Sequence, residues 1–183
     1  MQLQIEHIIE GCKKGKQLAQ SELFRLFSPK LMGICYRYAG NRETAEDLLQ
    51  EIFVKIFKNI ESYRGDGSFE GWLRMITVNT CITWVNKNNK AAKEIELSAK
   101  YDKTIVDENE SENDHYPIST NDLMKYIAEL PDGYRIVLNM FAIEGYSHKQ
   151  IGEQLGISES TSRSQYVRAK NYLSKKIMEK IKK

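Results

Sequence analysis

Between Ala45 and Ile60 the chain repeats apolar residues at three-four spacing: Ala45, Leu48, Leu49, Ile52, Phe53, Ile56, Phe57 and Ile60. On a helix these side chains share one face, whereas a strand would divide them between two. A face so wholly apolar must be covered, and the rest of the sequence offers helical surfaces to cover it. Ile5, Ile8, Ile9 and Cys12 predict one short helix, and Leu18, Leu23, Phe24, Leu26 and Phe27 a second. Ser28-Pro29 then predicts the N-cap and first residue of a separate third helix, running through Leu31, Ile34, Cys35 and Tyr38 to Gly40. Further on, glycines on both sides of Asp66 predict a turn and Ser68 an N-cap. The helix that follows from Phe69 places Trp72, Leu73 and Ile76 on its inner face, as core. No alternating pattern of useful length occurs, so the expected fold class is all-α.

Composition divides the chain. Residues 3 to about 90 are dense in apolar side chains, 93–119 turn polar and acidic with Pro117, and helical periodicity returns from 121. The expected organisation is two small helical domains, 1–92 and 120–183, joined by a flexible acidic linker, 93–119. A length of 183 residues with 41% hydrophobic and 28% charged residues suits one sizeable core or two small ones. Net charge is only +2, but the total conceals segregation. Residues 105–116 carry five acids and no Lys or Arg, while 163–183 carry eight Lys or Arg and one acid. The three cysteines, Cys12, Cys35 and Cys81, stand far apart within helical apolar patterns, which predicts reduced core residues instead of a ligand pair. The opening MQLQIEHIIE has no basic-then-apolar leader and no apolar run reaches the length of a membrane span, so a cytoplasmic location is expected.

In the second half, helices around 121–130 and 132–143, separated by Leu130-Pro131-Asp132, are expected to give Leu123, Ile127, Ile136, Val137, Met140 and Phe141 to a core. Ser147 then caps a helix carrying Ile151 and Leu155, Gly156 supplies a left-handed turn residue, Ile157 plugs the corner, and Ser158 caps a further helix. This is the pattern of a helix-turn-helix. In its second helix Ser162, Tyr166, Ala169 and Leu173 form the packing side. Arg163, Ser164, Val167 and Arg168 form another side, polar and cationic, that suits a major groove better than an αα-hairpin with no DNA role would need.

Two more surfaces stay open on the residues alone. Opposite the apolar face of 45–60, Asp47, Gln50, Glu51 and Val54 make a partly acidic strip, fit for solvent or for a polar partner. Asn79, Thr80, Thr83, Trp84 and Lys87 mix amide, hydroxyl, aromatic and cation. Such a set can hold an unpaired base while tracking phosphates, although many helix ends share the mix.

Taken together, these motifs resemble the bacterial RNA polymerase sigma factors of the extracytoplasmic-function group of the sigma-70 family, over nearly the whole chain. DLLQEIFVKIF resembles the polymerase-binding helix of sigma region two, and SFEGWLRMITVNTCITW its helix for the upstream end of the melted promoter. YSHKQIGEQLGISESTSRSQYVRAKNYL resembles the helix-turn-helix of sigma region four. The resemblance implies a transcription initiation factor that brings core RNA polymerase to promoters by recognising −10 and −35 elements. By it, Asp47, Gln50, Glu51 and Val54 would face the clamp helices of the polymerase's largest subunit. Tyr63, Arg64, Gly65, Asp66, Gly67 and Asn79 would form the pocket for a flipped −10 base, with Thr83, Trp84 and Lys87 in the same DNA-binding set. Arg163, Ser164, Val167 and Arg168 would read the −35 element. Ser162 stands where the family often has valine, and Gln165 where arginine is frequent.

The partners so implied are core RNA polymerase, promoter DNA and an anti-sigma factor, often membrane-bound, with no cofactor, metal or small-molecule substrate. The linker acids would mimic a nucleic-acid backbone in the polymerase cleft or simply keep the segment soluble. A modest total charge also fits, because non-specific DNA binding grows with each neutralised phosphate. A stand-alone helix-turn-helix regulator and an adaptor bundle are the rival readings, and both leave the Asp47 face and residues 63–88 without a role. No nucleophile-base pair, phosphate loop or metal cluster is legible, and His7, His115 and His148 are not arranged for one. The chain is therefore expected not to be an enzyme, catalysis belonging to its partner.

Overall fold

Every element among the described residues, 2–88 and 118–181 of a computed structural model, is helical. They are α1 (Gln2–Lys13), α2 (Gln17–Ala39), α3 (Arg42–Asn59), a 3-10 turn (Ile60–Ser62) and α4 (Phe69–Lys87), followed by α5 (Thr120–Glu129), α6 (Asp132–Leu138), a π turn (Asn139–Ile143), α7 (His148–Leu155) and α8 (Glu159–Ile181). The acidic stretch 105–116, with most of the expected linker, lies outside the described residues. The chain forms two compact units, Met1–Thr83 and Trp84–Lys183, the division falling within α4.

The first unit is built around α3. Asn41 caps it by accepting a hydrogen bond from the Thr44 amide at 2.9 Å. Ala45, Leu48, Leu49, Ile52, Phe53 and Ile56 are buried along its length, with Ile60 just beyond and Phe57 half-buried. Helix α2 packs on both α1 and α3. Here the expectation of two helices meeting at Ser28-Pro29 is corrected, because α2 is continuous and Pro29 lies inside it. The buried stripe Leu23, Phe27, Leu31, Ile34, Cys35 and Tyr38 runs straight through the proline. Proline removes the donor that would serve the Arg25 carbonyl, but both residues are exposed, so water can serve that group. An interior proline costs about 3 kcal/mol. Each large apolar side chain kept buried contributes about 1.5–3 kcal/mol, so an unbroken stripe outweighs that cost. All three cysteines are buried and free, and burial raises the Cys12 thiol above its ordinary range, which keeps it protonated.

In the second unit α5 and α6 pack on α8. Ile127, Leu130, Leu138, Ala169 and Leu173 form the core, edged by Leu123, Tyr126, Tyr134, Tyr166 and Tyr172. Ile136, Val137 and Met140 are buried as expected, whereas Phe141 and Leu123 are half-buried. The helix expected over 132–143 instead loosens into a π turn at Asn139. Ser119 caps α5 through the Asp122 amide at 3.1 Å, and Lys180 and Lys176 of α8 pair with Asp122 and Glu129. Buried Arg135 pairs with Asp132 at 2.5 Å and donates to the Leu130 carbonyl at 2.9 Å.

The corner between α7 and α8 is tightly specified. Ser147 and Gln150 form a reciprocal capping box, with the Gln150 amide 3.2 Å from Ser147 Oγ and the Ser147 amide 2.8 Å from Gln150 Oε1. Gly156 ends α7 at φ 69°, and the Ile157 amide donates to the Gly152 carbonyl at 3.1 Å. Gly152 itself lies in α7, where alanine would ordinarily stabilise a helix by about 1 kcal/mol. Here a Cβ would stand 2.7 Å from the Ile157 carbonyl oxygen, a backbone atom of the corner. Gly152→Ala is therefore expected to lower stability by about 1–3 kcal/mol through forced backbone displacement. Thermal melts of the two proteins compare them directly, and an unchanged or raised Tm would contradict the close packing of this corner.

Candidate polymerase and DNA interfaces

Asp47, Gln50, Glu51 and Val54 all lie on the solvent side of α3, with Val54 51% exposed. Their exposure follows from the period that buries Leu48, Ile52 and Phe53. Glu51 pairs with Lys55 at 2.7 Å, and Lys55 Nζ lies 3.4 Å from Thr80 Oγ1 on α4. The strip thus carries two carboxylates, Asp47 and Glu51, the second paired with Lys55, and ends in the apolar Val54.

The Tyr63–Gly67 segment forms a braced loop. Gly65 and Gly67 adopt φ 85° and 105°, values that L side chains rarely adopt, and the Tyr63 hydroxyl donates to the Gly67 carbonyl at 2.8 Å. The Tyr63 ring sits 5.0 Å from Phe69 and 5.6 Å from Trp72, which themselves stack at 19°. A recess of about 450 Å³ opens here, lined by Ser62, Tyr63, Arg64, Asp66, Ser68, Gly71, Trp72 and Met75. An aromatic wall with an arginine, an aspartate and hydroxyls beside it can stack a base and hydrogen-bond its edge.

Burial corrects the expectation for α4. Leu73 is buried, but Trp72 and Ile76 are half-buried, and Trp72 belongs to the recess instead of the core. Thr80, grouped with the polar face in the sequence, is buried. Asn79 and Thr83 are exposed, one turn apart, and Thr83 Oγ1 donates to the Asn79 carbonyl at 2.7 Å. Asn79 is one turn beyond Met75 and does not line the recess. Trp84 is half-buried and Lys87 exposed on the last turns of α4. Ser62, Ser68, Gly71, Trp72 and Met75 are the recess residues that sequence reasoning missed. The signal was present in the three-residue step from Trp72 to Met75, continued by four to Asn79.

The Ser158 hydroxyl accepts from the Thr161 amide at 3.0 Å and so caps α8. Arg163 is exposed and pairs with Glu159 at 2.6 Å, while Ser164, Val167 and Arg168 are half-buried. The four residues expected to face the groove therefore share one accessible side of α8. On the other side Ser162, Ala169 and Leu173 are buried, as the period requires. The fourth buried residue there is Gln165, 0% exposed, and Tyr166 is only half-buried, which corrects the expected packing set. Lys170 sits 5.1 Å above the Tyr166 ring.

Among the described residues no three His, Cys, Asp or Glu converge to hold a metal ion, and no helix is long and apolar enough to cross a membrane. An all-α chain that presents an acidic helix face, an aromatic-walled recess and a helix-turn-helix with a cationic outer side fits a DNA-binding transcription protein.

Comparison with known proteins sharpens this class. Residues 23–91 match Sigma-70 region 2 and residues 120–173 match Sigma-70, region 4. The chain is 32% identical over 153 residues to the ECF RNA polymerase sigma factor SigE of Mycolicibacterium smegmatis, covering 83% of this chain and 59% of that longer protein. It is 29% identical over 184 residues to the ECF RNA polymerase sigma factor SigW of Bacillus subtilis, covering 97% of this chain and 98% of that one. Against the ECF RNA polymerase sigma-E factor of Haemophilus influenzae it is 27% identical over 183 residues, 96% of each chain. Among solved structures, the sigma factor RpoE in complex with the anti-sigma factor NepR from Bartonella quintana aligns at TM-score 0.46 and 19% identity, over 87% of this chain and 96% of that one. The chain belongs to the extracytoplasmic-function group of the sigma-70 family and is a factor that directs RNA polymerase to promoters.

Proposed function

We propose that this factor works through three surfaces set in order along one chain. Residues 1–92 form the region two domain, which docks core RNA polymerase by Asp47, Gln50, Glu51 and Val54. The same domain takes a flipped −10 base at the recess walled by Tyr63, with Arg64, Gly65, Asp66 and Gly67 shaping the loop and Asn79, Thr83, Trp84 and Lys87 continuing the DNA path. Residues 120–183 form the region four domain, which reads the −35 element with Arg163, Ser164, Val167 and Arg168. Residues 93–119 tether the two. An anti-sigma factor, anchored at a membrane in many such systems, holds the protein inactive in the cytoplasm until it is released. The chain forms no bond of the transcript itself; that chemistry is the polymerase's.

The observation that carries this reading is the coexistence of the acidic α3 strip and the cationic side of α8. A stand-alone regulator needs only the second, and an adaptor neither. If Arg163 and Arg168 contact guanine bidentately, each alanine replacement is expected to cost about 1–3 kcal/mol on a matched promoter and little on one with a scrambled −35 element. Phosphate contacts alone would give smaller, equal losses on both. Holoenzyme titrations on the two templates separate these roles, and no loss on either removes Arg163 and Arg168 from the interface.

A further inference from the structure

Ser162 lies on the buried side of the recognition helix and is 0% exposed. A buried hydroxyl requires a partner, and Ser162 Oγ has one 2.9 Å away in Nδ1 of His148. His148 is the first residue of α7 and is itself 8% exposed. Its ring stacks on Phe141 of the π turn, centroids 4.0 Å apart and planes at 10°. Tyr166 of α8 lies 4.7 Å from the Phe141 ring and 5.8 Å from His148. One imidazole on α7 thus touches both the π turn and α8, the latter one residue away from Arg163.

We propose that His148 is a positioning residue for −35 recognition: neutral and held between Phe141 and Ser162, it seats α8 so that Arg163 and Arg168 face the groove, and its protonation unseats them. The proposal rests on the reading of α8 as the −35 reader. Burial and one charged neighbour favour the neutral form, and a second charged neighbour opposes it. Burial, the largest effect, and the Arg163 guanidinium hold His148 below its ordinary range, with Glu159 opposing. Tyr166 on α8 is the other titratable neighbour, Phe141 on the π turn is uncharged, and the positive end of the α7 dipole adds to the disfavour. Because the folded protein holds this imidazole lower than the unfolded chain does, the seating is fully present above about pH 6.5 and weakens as pH falls below it. Simple charge attraction makes the opposite forecast, since an added cation near DNA should tighten binding.

The experiment compares wild type, His148→Asn and His148→Ala, each as full chain with core polymerase, by fluorescence anisotropy on promoter duplexes with matched and scrambled −35 elements at two pH values. Asparagine can reach Ser162 from nearly the Nδ1 position but does not titrate. At pH 7.5, His148→Asn should keep the matched-over-scrambled preference within about threefold, and His148→Ala should lose roughly tenfold of it, the scale of one buried polar contact. At pH 5.5 the wild-type preference should fall more than that of His148→Asn, because the ring, held below its ordinary range, takes up its proton only as pH drops under about 6.5. Equal acid losses in wild type and His148→Asn overturn the proposal, as does a His148-dependent gain on acidification. If His148→Ala does not fold, the wild type and His148→Asn profiles decide alone. A wild type that never distinguishes the two duplexes, even at pH 7.5, overturns the −35 reading and this proposal with it.

Discussion

Joint replacement of Asp47 and Glu51 by lysine is expected to weaken capture of core RNA polymerase at least tenfold, about 1.4 kcal/mol or more. Both side chains are exposed on α3, so neither takes part in the packing of Leu48, Ile52 and Phe53. Folding should change little. Surface substitutions away from special features usually stay within about 0.5 kcal/mol, and loss of the exposed Glu51–Lys55 pair adds about 0.3–0.5 kcal/mol. Reversal of charge at a docking surface acts differently, because like charges brought together cost several kcal/mol. Co-purification with core polymerase, together with a thermal melt, reads both effects. Undiminished capture by the double variant would remove α3 from the interface, and a collapsed Tm would show that the strip is structural.

Asn79→Ala should depress open-complex formation on duplex promoter while sparing polymerase binding. Stacking averages about 1.4 kcal/mol per step, so opening roughly ten steps costs on the order of 14 kcal/mol. One base captured at the Tyr63–Gly67 loop returns about 1–3 kcal/mol. The polymerase must therefore supply most of the opening energy, and the captured base biases where opening begins. Asn79 lies one turn outside the recess and offers a hydrogen bond instead of a stacking wall, so its loss is expected to cost only about 1 kcal/mol, roughly fivefold in the open-complex equilibrium. On a template already unpaired at the −10 element the opening cost is absent, and most activity should return. Permanganate footprinting on both templates tests this. Strand opening by the isolated chain, or an equally deep defect on the unpaired template, would contradict the assignment.

The apolar period of α3 was legible because it repeats without interruption, and the Asp47 strip follows from the same period by exclusion. The turn at Gly156 was legible because a left-handed residue between two capped helices has few other uses. Pro29 misled for the opposite reason. A local stop signal was outweighed by a tertiary stripe, and only the fold shows that Arg25 and Pro29 both lie on its exposed side. Periodicity gives the face of a helix but not the depth of each position. Trp72 was therefore assigned to the core although it walls the recess, and Gln165 went unassigned to the core although it is fully buried. His148 carried no signal at all, since its partners Phe141 and Ser162 lie on other elements and meet it only in the fold.

The most direct measurement adds the purified chain to core RNA polymerase with DNA of the organism that encodes it and maps the 5′ ends of the transcripts. A promoter-directing factor with separate −10 and −35 surfaces should yield a discrete set of new start sites, each preceded by the same two elements at a constant spacing. Transcripts indistinguishable from those of core polymerase alone, from a chain that binds duplex DNA tightly without polymerase, would contradict it.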